Sequence, residues 1–432
     1  MSVNEMIVKI VSKNFDIPDS HKLEVALKNG RYESIDKLFT MTPAEVTEEV
    51  CKSGLRGKGG GGAACGPKWK LMPEIDDRPR YMIANGDESE PGTFKDRQIF
   101  EYDPHLLIEG IICSSYAIGA HDCYIYIRGE YKFFIDRLNA AIDEAYKARI
   151  IGEKVMNKYD YRMNITVHRG GGAYICGEKS ALIESIEGKR GHPRLKPHNK
   201  ECEWFFSQPA TVNNVETLAS VPNIILNGYE SYTKYGTKKT PGTMLFAMSG
   251  PVKNPGVYEL AYGCKMTDVI EQIGGGMKDG LKLKAVIPGG ASCPILTAQE
   301  VDKAYLDYET MWDIGSTLGT GGMIIIPEGV SMIDVAKNLI EFYHHESCGQ
   351  CTPCREGCGW IDTIIGRILD GHGTVSDLTT ILDVCDTMDG KTICVFAPAV
   401  KDIIKSLIQK FRHEFESYIE TTSIRQGETV NG

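Results

Sequence analysis

Three cysteines separated by two-residue gaps constrain this chain more than any other feature of its sequence. Cys348, Cys351 and Cys354 lie within residues 346–355. This spacing brings three thiolates onto one short loop, which favours an iron–sulfur cluster, and such clusters take four thiolates. Cys358, Cys385 and Cys394 are all candidates for the fourth ligand. A structural zinc site and metal-free thiols are the alternatives, although zinc sites usually present cysteines as separated pairs.

Length and charge narrow the classes of protein that fit. A chain of 432 residues should divide into several domains, because single cores stop growing beyond ~250 to 300 residues. The net charge of -10 argues against nucleic acid as a partner. No stretch reaches the ~18 apolar residues of a membrane helix, and the 14 cysteines suit a reducing compartment. We therefore expect a cytoplasmic protein without direct membrane insertion, which reaches a membrane only through partner proteins.

The pattern of apolar residues predicts an α/β fold in four segments. Residues 1–72 are predicted to form an N-terminal helical segment with a glycine-rich loop. Residues 73–240 alternate strands with helices, which predicts a mostly parallel sheet covered on both faces. Residues 241–330 are predicted to form a small β-grasp domain, and residues 331–432 a helical bundle that carries the cysteine loop. Ligands of parallel sheets bind at the carboxyl ends of the strands.

A glycine-rich loop at residues 57–62 matches the pattern G-x-G-x-x-G. The preceding residues look helical, whereas the dinucleotide fingerprint requires a strand at that place. The glycines still leave a row of backbone N–H groups that can approach a phosphate or a flat ring closely. Lys68 follows and is positioned to neutralise a phosphate, while a flexible linker is the alternative interpretation.

Two later loops complete the predicted pocket. Residues 85–92 follow a buried strand and carry several carboxylates, which suit the hydroxyls of a ribityl or ribose chain; a solvated acidic turn is the alternative. Residues 170–178 lie between a strand and the start of a helix, where backbone N–H groups favour anions. Asn213 and Asn214 add amides for the edge of a heteroaromatic ring. Together the loops predict a pocket for a phosphorylated planar cofactor.

With these motifs the chain resembles the flavin-bearing, NADH-oxidising subunit of respiratory complex I and related diaphorase subunits of NAD-linked hydrogenases and formate dehydrogenases. The matching motifs occur in order at residues 53–57, 85–96, 172–186, 188–197, 211–217 and 346–355. The resemblance implies FMN, one [4Fe–4S] cluster and NAD(H) as the substrate. The implied cofactor-binding residues are Gly57, Gly59, Gly60, Lys68, Asn85, Asp87, Glu88, Glu90, Tyr174, Gly177, Glu178, Lys196, Asn213, Asn214 and Thr217. The implied cluster ligands are Cys348, Cys351, Cys354 and Cys394.

The resemblance also implies a role in electron transfer. In that family NADH gives a hydride to FMN, and single electrons then pass through the cluster to partner subunits and towards quinone. The implied partners are a thioredoxin-like [2Fe–2S] subunit and a larger iron–sulfur subunit, which would hold the chain at the inner face of the membrane. No side chain is expected to act as a catalytic acid or base, because the cofactors supply the chemistry.

Four positions depart from the family pattern. Ala63, Leu71 and Asn199 stand where the family usually has aromatic residues that sandwich the adenine of NADH, and Lys179 replaces a usual glutamate. The departures motivate an alternative in which the same subunit takes electrons from a ferredoxin, a flavodoxin or another protein donor. A second alternative is a flavin-free subunit that serves assembly.

Overall fold

Short helices precede the first sheet. The computed structural model describes residues 2–195 and 201–430, with side chains described as far as residue 422. Helices α1 to α5 span Val3–Met6, Leu23–Lys28, Glu33–Leu38, Pro43–Ser53 and Cys65–Trp69. Helix α4 begins at a capping box, in which Thr42 accepts a hydrogen bond from the N–H of Glu45. It ends at Gly54, whose φ of 65° is readily adopted by glycine. The glycine-rich loop therefore follows a helix, as the sequence predicts.

The first sheet has five strands in the order β3-β2-β1-β5-β4. Strands β1 to β5 span Tyr81–Gly86, Asp122–Ile127, Asn164–Arg169, Glu203–Phe205 and Gln208–Asn214. β1, β2, β3 and β5 run parallel, and β4 pairs antiparallel with β5 at the edge. Helices α6 to α11 span Asp96–Tyr102, Pro104–Ile118, Lys132–Lys147, Lys179–Ile186, Val215–Asn227 and Glu230–Thr233. The predicted mostly parallel sheet is confirmed.

One helix is shorter than the sequence predicts. The apolar pattern favours a single helix over residues 174–187, but the structure has a 3₁₀ turn at Tyr174–Gly177 followed by α9. The break occurs because Glu178 is extended and caps α9, accepting hydrogen bonds from the N–H groups of Ser180 and Ala181 at 2.9 and 3.0 Å. As a result, the 3₁₀ turn lies against the pocket.

The second sheet forms the predicted β-grasp domain and has the order β7-β6-β10-β8-β9. Strands β6 to β10 span Thr243–Ser249, Gly256–Ala261, Leu283–Ile287, Leu296–Thr297 and Gly322–Pro327. Helices α12, α13 and α14 span Met266–Asp268, Ala298–Val301 and Tyr308–Asp313. The pairing of β10 with β6 is parallel, whereas its pairing with β8 is antiparallel.

The C-terminal segment is helical, as predicted. Helices α15 to α19 span Met332–Glu346, Thr352–Leu369, Val375–Met388, Phe396–Lys410 and Arg412–Val430. The cysteine loop connects α15 to α16 and therefore follows the first helix of the bundle. No helix in the described residues is both long and apolar enough to cross a membrane.

Packing on both faces of β1 fixes the bundle next to the first sheet. Met82 and Ala84 face one core, which includes Leu107 of α7 and Leu218 of α10. Ile83 points the other way, into a core that also contains the buried apolar side chains of the helical bundle. The cysteine loop is consequently carried on helices that share a core with the parallel sheet.

Candidate cofactor sites

A large cavity opens at the carboxyl ends of β1 and β5, where a parallel sheet binds its ligands. Its volume is about 780 Å³, within the range of ~300 to 1,000 Å³ that is usual for small-molecule sites. Residues of the glycine-rich loop, the acidic loop, the β-grasp domain and α18 line the cavity. It is lined by most of the predicted cofactor-binding residues: Gly57, Gly59, Gly60, Lys68, Asn85, Asp87, Glu88, Glu90, Tyr174, Gly177, Glu178 and Asn214.

The glycine-rich loop is folded tightly against its neighbours. The N–H of Gly57 donates to the carbonyl of Ala63 at 2.8 Å, which closes the loop. A Cβ on Gly59 would lie 3.2 Å from the Cβ of Asn214, and one on Gly62 would lie 2.5 Å from the ring of Tyr308. Gly62 also has a φ of 61°. The loop thus needs glycine for close approach and for backbone conformation, which disfavours the flexible-linker interpretation.

The acidic loop after β1 divides its carboxylates between two tasks. Burial raises the pKa of Asp87 to about 7, and its Oδ1 has no hydrogen-bond partner within the described chain. Glu88 instead accepts hydrogen bonds from the N–H of Asp96 at 2.6 Å and from Nε of Arg97 at 2.9 Å, so its carboxylate is occupied by the protein. Asp87 is therefore the carboxylate left for a ligand hydroxyl.

Glu90 joins three parts of the cavity wall. Its carboxylate accepts hydrogen bonds from the hydroxyl of Tyr174 at 2.5 Å and from the N–H of Ser292 at 2.7 Å. Burial raises the pKa of Glu90, while the two donors favour its charged form. Ser292 belongs to the β-grasp domain, so that domain closes one side of the cavity.

A buried group of charges supports the glycine-rich loop, and the sequence interpretation missed it. Glu216 lies between the ammonium groups of Lys58 and Lys95, at 3.1 and 2.7 Å, and all three side chains are fully or almost fully buried. Lys95 also contacts Asp96 at 2.8 Å. The sequence does contain a signal for this group: Lys58 lies in a glycine-rich loop, and Glu216 lies in an apolar segment. Because a buried charge must be paired, such residues indicate buried ion pairs.

Two predicted cofactor-binding residues lie outside the cavity wall. Asn213 and Thr217 do not line the cavity: the Asn213 carboxamide accepts from Nε1 of Trp69 at 3.4 Å, and the Thr217 hydroxyl accepts from the N–H of Lys58 at 2.9 Å. Both side chains point away from the cavity and bind residues in or next to its wall, because β5 and α10 orient them in that direction. Lys196 lies outside the described residues.

A second, smaller cavity gathers the predicted cluster ligands. Cys348, Cys351, Cys354 and Cys394 all line it, together with Ser347, Thr392 and Phe396. Cys358 and Cys385 are fully buried in the bundle core and do not line this cavity. In the described chain no three histidine, cysteine, aspartate or glutamate side chains converge as ligands of a single ion. Four thiol-bearing residues around one cavity fit the ligand set of a cubane cluster.

The two cavities share a wall. Ile175, Cys394 and Phe396 line both of them. The ring of Phe396 packs against Tyr174 at 5.7 Å and against Tyr343 at 5.5 Å between ring centroids. One side of this wall therefore faces the larger cavity, and the other side faces the cysteine cavity.

The residues present fit both cofactors. The cavity at the sheet offers glycine N–H groups, the orphaned Oδ1 of Asp87 and Lys68, whose Nζ donates to the carbonyl of Val212 at 2.6 Å. These groups match the hydroxyls and phosphate of a flavin mononucleotide. With a cysteine-lined cavity next to it, the fold defines a flavin- and iron–sulfur-binding electron-transfer protein.

Comparisons with known proteins agree with this class. Family models match the Nuo51 FMN-binding domain over residues 50–223, an SLBB domain over 244–326 and the NADH-ubiquinone oxidoreductase-F iron-sulfur binding region over 334–418. The second F-type subunit of the NADH-quinone oxidoreductase of Rhizobium meliloti (strain 1021) is 42% identical, covering 96% of this chain and 98% of the relative. The F-type subunit of the NADH-quinone oxidoreductase of Rickettsia bellii (strain OSU 85-389) is 43% identical, covering 93% and 96%.

The fold is also similar to that of a solved structure. A chain of an NAD+-reducing [NiFe]-hydrogenase in its H2-reduced state superposes with a TM-score of 0.82 and 30% identity, covering 96% of this chain and 67% of the hydrogenase chain. The protein belongs to the family of F-type subunits of NADH-quinone oxidoreductases. It carries the FMN-binding domain and the [4Fe–4S] binding region of that family.

Three of the four departures from the family pattern lie within the described residues. Ala63 lines the cavity without a ring, and Leu71 is 38% exposed. Lys179 lines the cavity and pairs with Glu203 of β4. Asn199 lies outside the described residues.

Proposed function

We propose that this chain is the electron-input subunit of a complex-I-type NADH dehydrogenase. The observation that supports this most directly is the shared wall: Phe396 and Cys394 line both the flavin cavity and the cysteine cavity. A bound flavin accepts a hydride and releases electrons singly, while a cluster carries one electron at a time. Two adjoining sites of these kinds suit the conversion of two-electron into one-electron transfer.

The residues of the chain have binding and positioning roles in this proposal. Gly59 and Gly60 would present N–H groups to FMN, while Gly57 would close the loop that holds them through its hydrogen bond to Ala63. Asp87 would accept from the ribityl hydroxyls of FMN. Cys348, Cys351, Cys354 and Cys394 would ligate the cluster. Asn213 and Thr217 would not contact FMN. They would stabilise the cavity wall through their hydrogen bonds with Trp69 and with the backbone of Lys58.

A single anaerobic experiment tests the core of the proposal. The purified protein is titrated with NADH while visible absorbance follows the flavin and electron paramagnetic resonance follows the cluster. We expect the flavin to bleach first and one reduced cluster signal to appear as NADH is added. Bleaching without any cluster signal would contradict transfer between the two sites.

A second candidate function keeps both cofactors but changes the donor. The absence of a ring at Ala63 and Leu71 motivates this candidate, in which a reduced ferredoxin, a flavodoxin or another protein is the donor. In that case NADH would leave the flavin oxidised and the protein donor would bleach it. A protein with a cluster spectrum but no flavin band would instead indicate an assembly subunit.

The proposed electron route needs partners. The names of the relatives as oxidoreductase subunits support membership in a multi-subunit complex. We infer that the partners in this complex are a thioredoxin-like [2Fe–2S] subunit and a larger iron–sulfur subunit, which receive electrons from the cluster. Binding to these partners would place the chain at the inner, cytoplasmic face of the membrane. Quinone reduction by the isolated chain at the rate of the whole complex would contradict this inference.

A further inference from the structure

Hydrogen-bonding groups approach the predicted ligand sulfurs of the cysteine cavity, among them the hydroxyl of Ser347 and the N–H of Ile393. The Oγ of Ser347 lies 3.4 Å from the Sγ of Cys354, and the N–H of Ile393 donates to the Sγ of Cys351 at 3.4 Å. Ser347 lines the cavity with the cysteines. Both distances fall within the range of hydrogen bonds to sulfur, which are longer than those to oxygen.

The direction of the Ser347 contact follows from the chemistry of ligation. Between a free thiol and a hydroxyl either group can donate, but a cysteine that ligates iron is a thiolate and has no proton. Ser347 must then donate to Cys354. Cys354 is only 7% exposed, so water competes weakly for this sulfur and the hydrogen bond acts in a medium of low dielectric constant.

Helix α15 holds the donor in place. Ser347 is the C-terminal cap of α15, and its own N–H donates to the carbonyl of Tyr343 at 3.0 Å. Tyr343 is fully buried and packs against Phe396. The backbone of Ser347 is therefore anchored to the wall between the two cavities, and the hydroxyl reaches the sulfur from a fixed position.

We propose that Ser347 is a positioning residue that raises the reduction potential of the cluster through its hydrogen bond to Cys354. One-electron reduction adds negative charge to the cluster and its sulfurs, so a donated hydrogen bond stabilises the reduced form more than the oxidised form. A higher reduction potential of the cluster favours the transfer of single electrons from the flavin site to the cluster. The inference rests on the proposed ligation of the cluster by Cys354.

The test compares four proteins in their native complex. Ser347→Ala removes the donor, and Ser347→Thr retains a hydroxyl at the same place. Thr363→Val is the matched control, because the Thr363 hydroxyl lies on α16, the helix that carries Cys354, but donates to the carbonyl of Gly359 at 2.8 Å and does not line the cavity. Midpoint potentials are measured by redox titration monitored by electron paramagnetic resonance. Because only protein that holds a cluster gives a signal, the potential can be compared even when a variant is partly loaded.

We expect Ser347→Ala to lower the midpoint potential, with the ratio of reduced to oxidised cluster falling up to about tenfold at a fixed potential, or ~59 mV for one electron. Ser347→Thr and Thr363→Val should keep the wild-type potential. An unchanged potential in the alanine protein, or an equal shift in Thr363→Val, overturns the inference.

Two further outcomes are also decisive. Loss of the cluster in the alanine protein with a wild-type potential in the threonine protein supports the role of the hydroxyl, whereas loss in both overturns it. Absence of a cluster in the wild-type complex would refute the proposed function itself, and so the two failures are distinguishable.

Discussion

Glu90, in the loop after β1, accepts a hydrogen bond from the backbone N–H of Ser292 in the β-grasp domain at 2.7 Å. The same carboxylate accepts from the hydroxyl of Tyr174, which belongs to the 3₁₀ turn before α9. One buried side chain therefore joins the acidic loop, the β-grasp domain and the wall that faces the cysteine cavity.

Replacing Glu90 by glutamine should weaken the binding of FMN several-fold. The amide keeps the size of the side chain but offers one acceptor oxygen in place of two, so one of the donors of Tyr174 and Ser292 is left unpaired at a cost of ~1 to 3 kcal/mol. Flavin fluorescence during dilution measures the dissociation constant. Glu328→Gln, an exposed position of the β-grasp domain, should leave that constant unchanged.

Cys394→Ser should lose the cluster, whereas Cys358→Ser should retain it. Cys394 lines the cavity with the other three cysteines, but Cys358 is buried in the bundle core. Iron and sulfide analysis of the purified proteins provides the measurement, and Cys385→Ser serves as a second core control. Full iron content in Cys394→Ser together with loss in Cys358→Ser would reverse the assignment.

Glu216→Gln should lower the free energy of unfolding by ~3 to 5 kcal/mol, because it leaves the buried ammonium group of Lys58 without its charged partner and that of Lys95 with Asp96 alone. Glu48→Gln is the matched control: its pair with Lys70 is about half exposed on both sides and should contribute ~0 to 1 kcal/mol. Denaturation by urea, followed by circular dichroism, gives both values. A loss no larger than that of the control would show that the buried group contributes little.

The free energy of unfolding should fall at acid pH because of the buried side chain of His105. Burial lowers the pKa of His105 from 6.5 to about 4, with its Nδ1 against the hydroxyl of Tyr32 at 2.7 Å. The unfolded state therefore binds a proton that the folded state does not, and stability is lost as the pH falls from 6.5 towards 4. The loss is on the order of 3 kcal/mol.

His105→Gln should remove this component, so the difference in unfolding free energy between wild type and variant should shrink towards acid pH. Urea unfolding at a series of pH values measures it. His413→Gln, at an exposed site, should follow the wild-type slope. An unchanged difference across the range would mean that His105 does not set the slope.

Aromatic substitution should tighten the binding of NADH if stacking on adenine is what the chain lacks. Ala63→Phe together with Leu71→Phe should lower its dissociation constant by ~10-fold or more. Leu281→Phe, another exposed apolar site, is the control. Anaerobic titration of the flavin absorbance gives the constants, and no change would show that adenine is bound elsewhere or that NADH is not the donor.

Local sequence determined the elements that carry the sites. The three spaced cysteines, the glycine run at residues 57–62 and the carboxylates after β1 each follow from chemistry within a few residues, and the structure brings them to cavities. The alternation of strands and helices likewise predicted the parallel sheet, because periodicity along the chain reports which side chains are buried.

Tertiary structure alone decided which of these residues face a ligand. Asn213 and Thr217 lie within a motif that resembles cofactor ligands, yet the path of β5 into α10 turns them towards Trp69 and Lys58. Cys394 lines the cysteine cavity and Cys358 does not, which depends on how α16 and the start of α18 pack. The pairing of Glu216 with two lysines joins segments far apart in the chain. Spacing along a sequence fixes local geometry, but side chains from distant segments meet only when the whole core has packed.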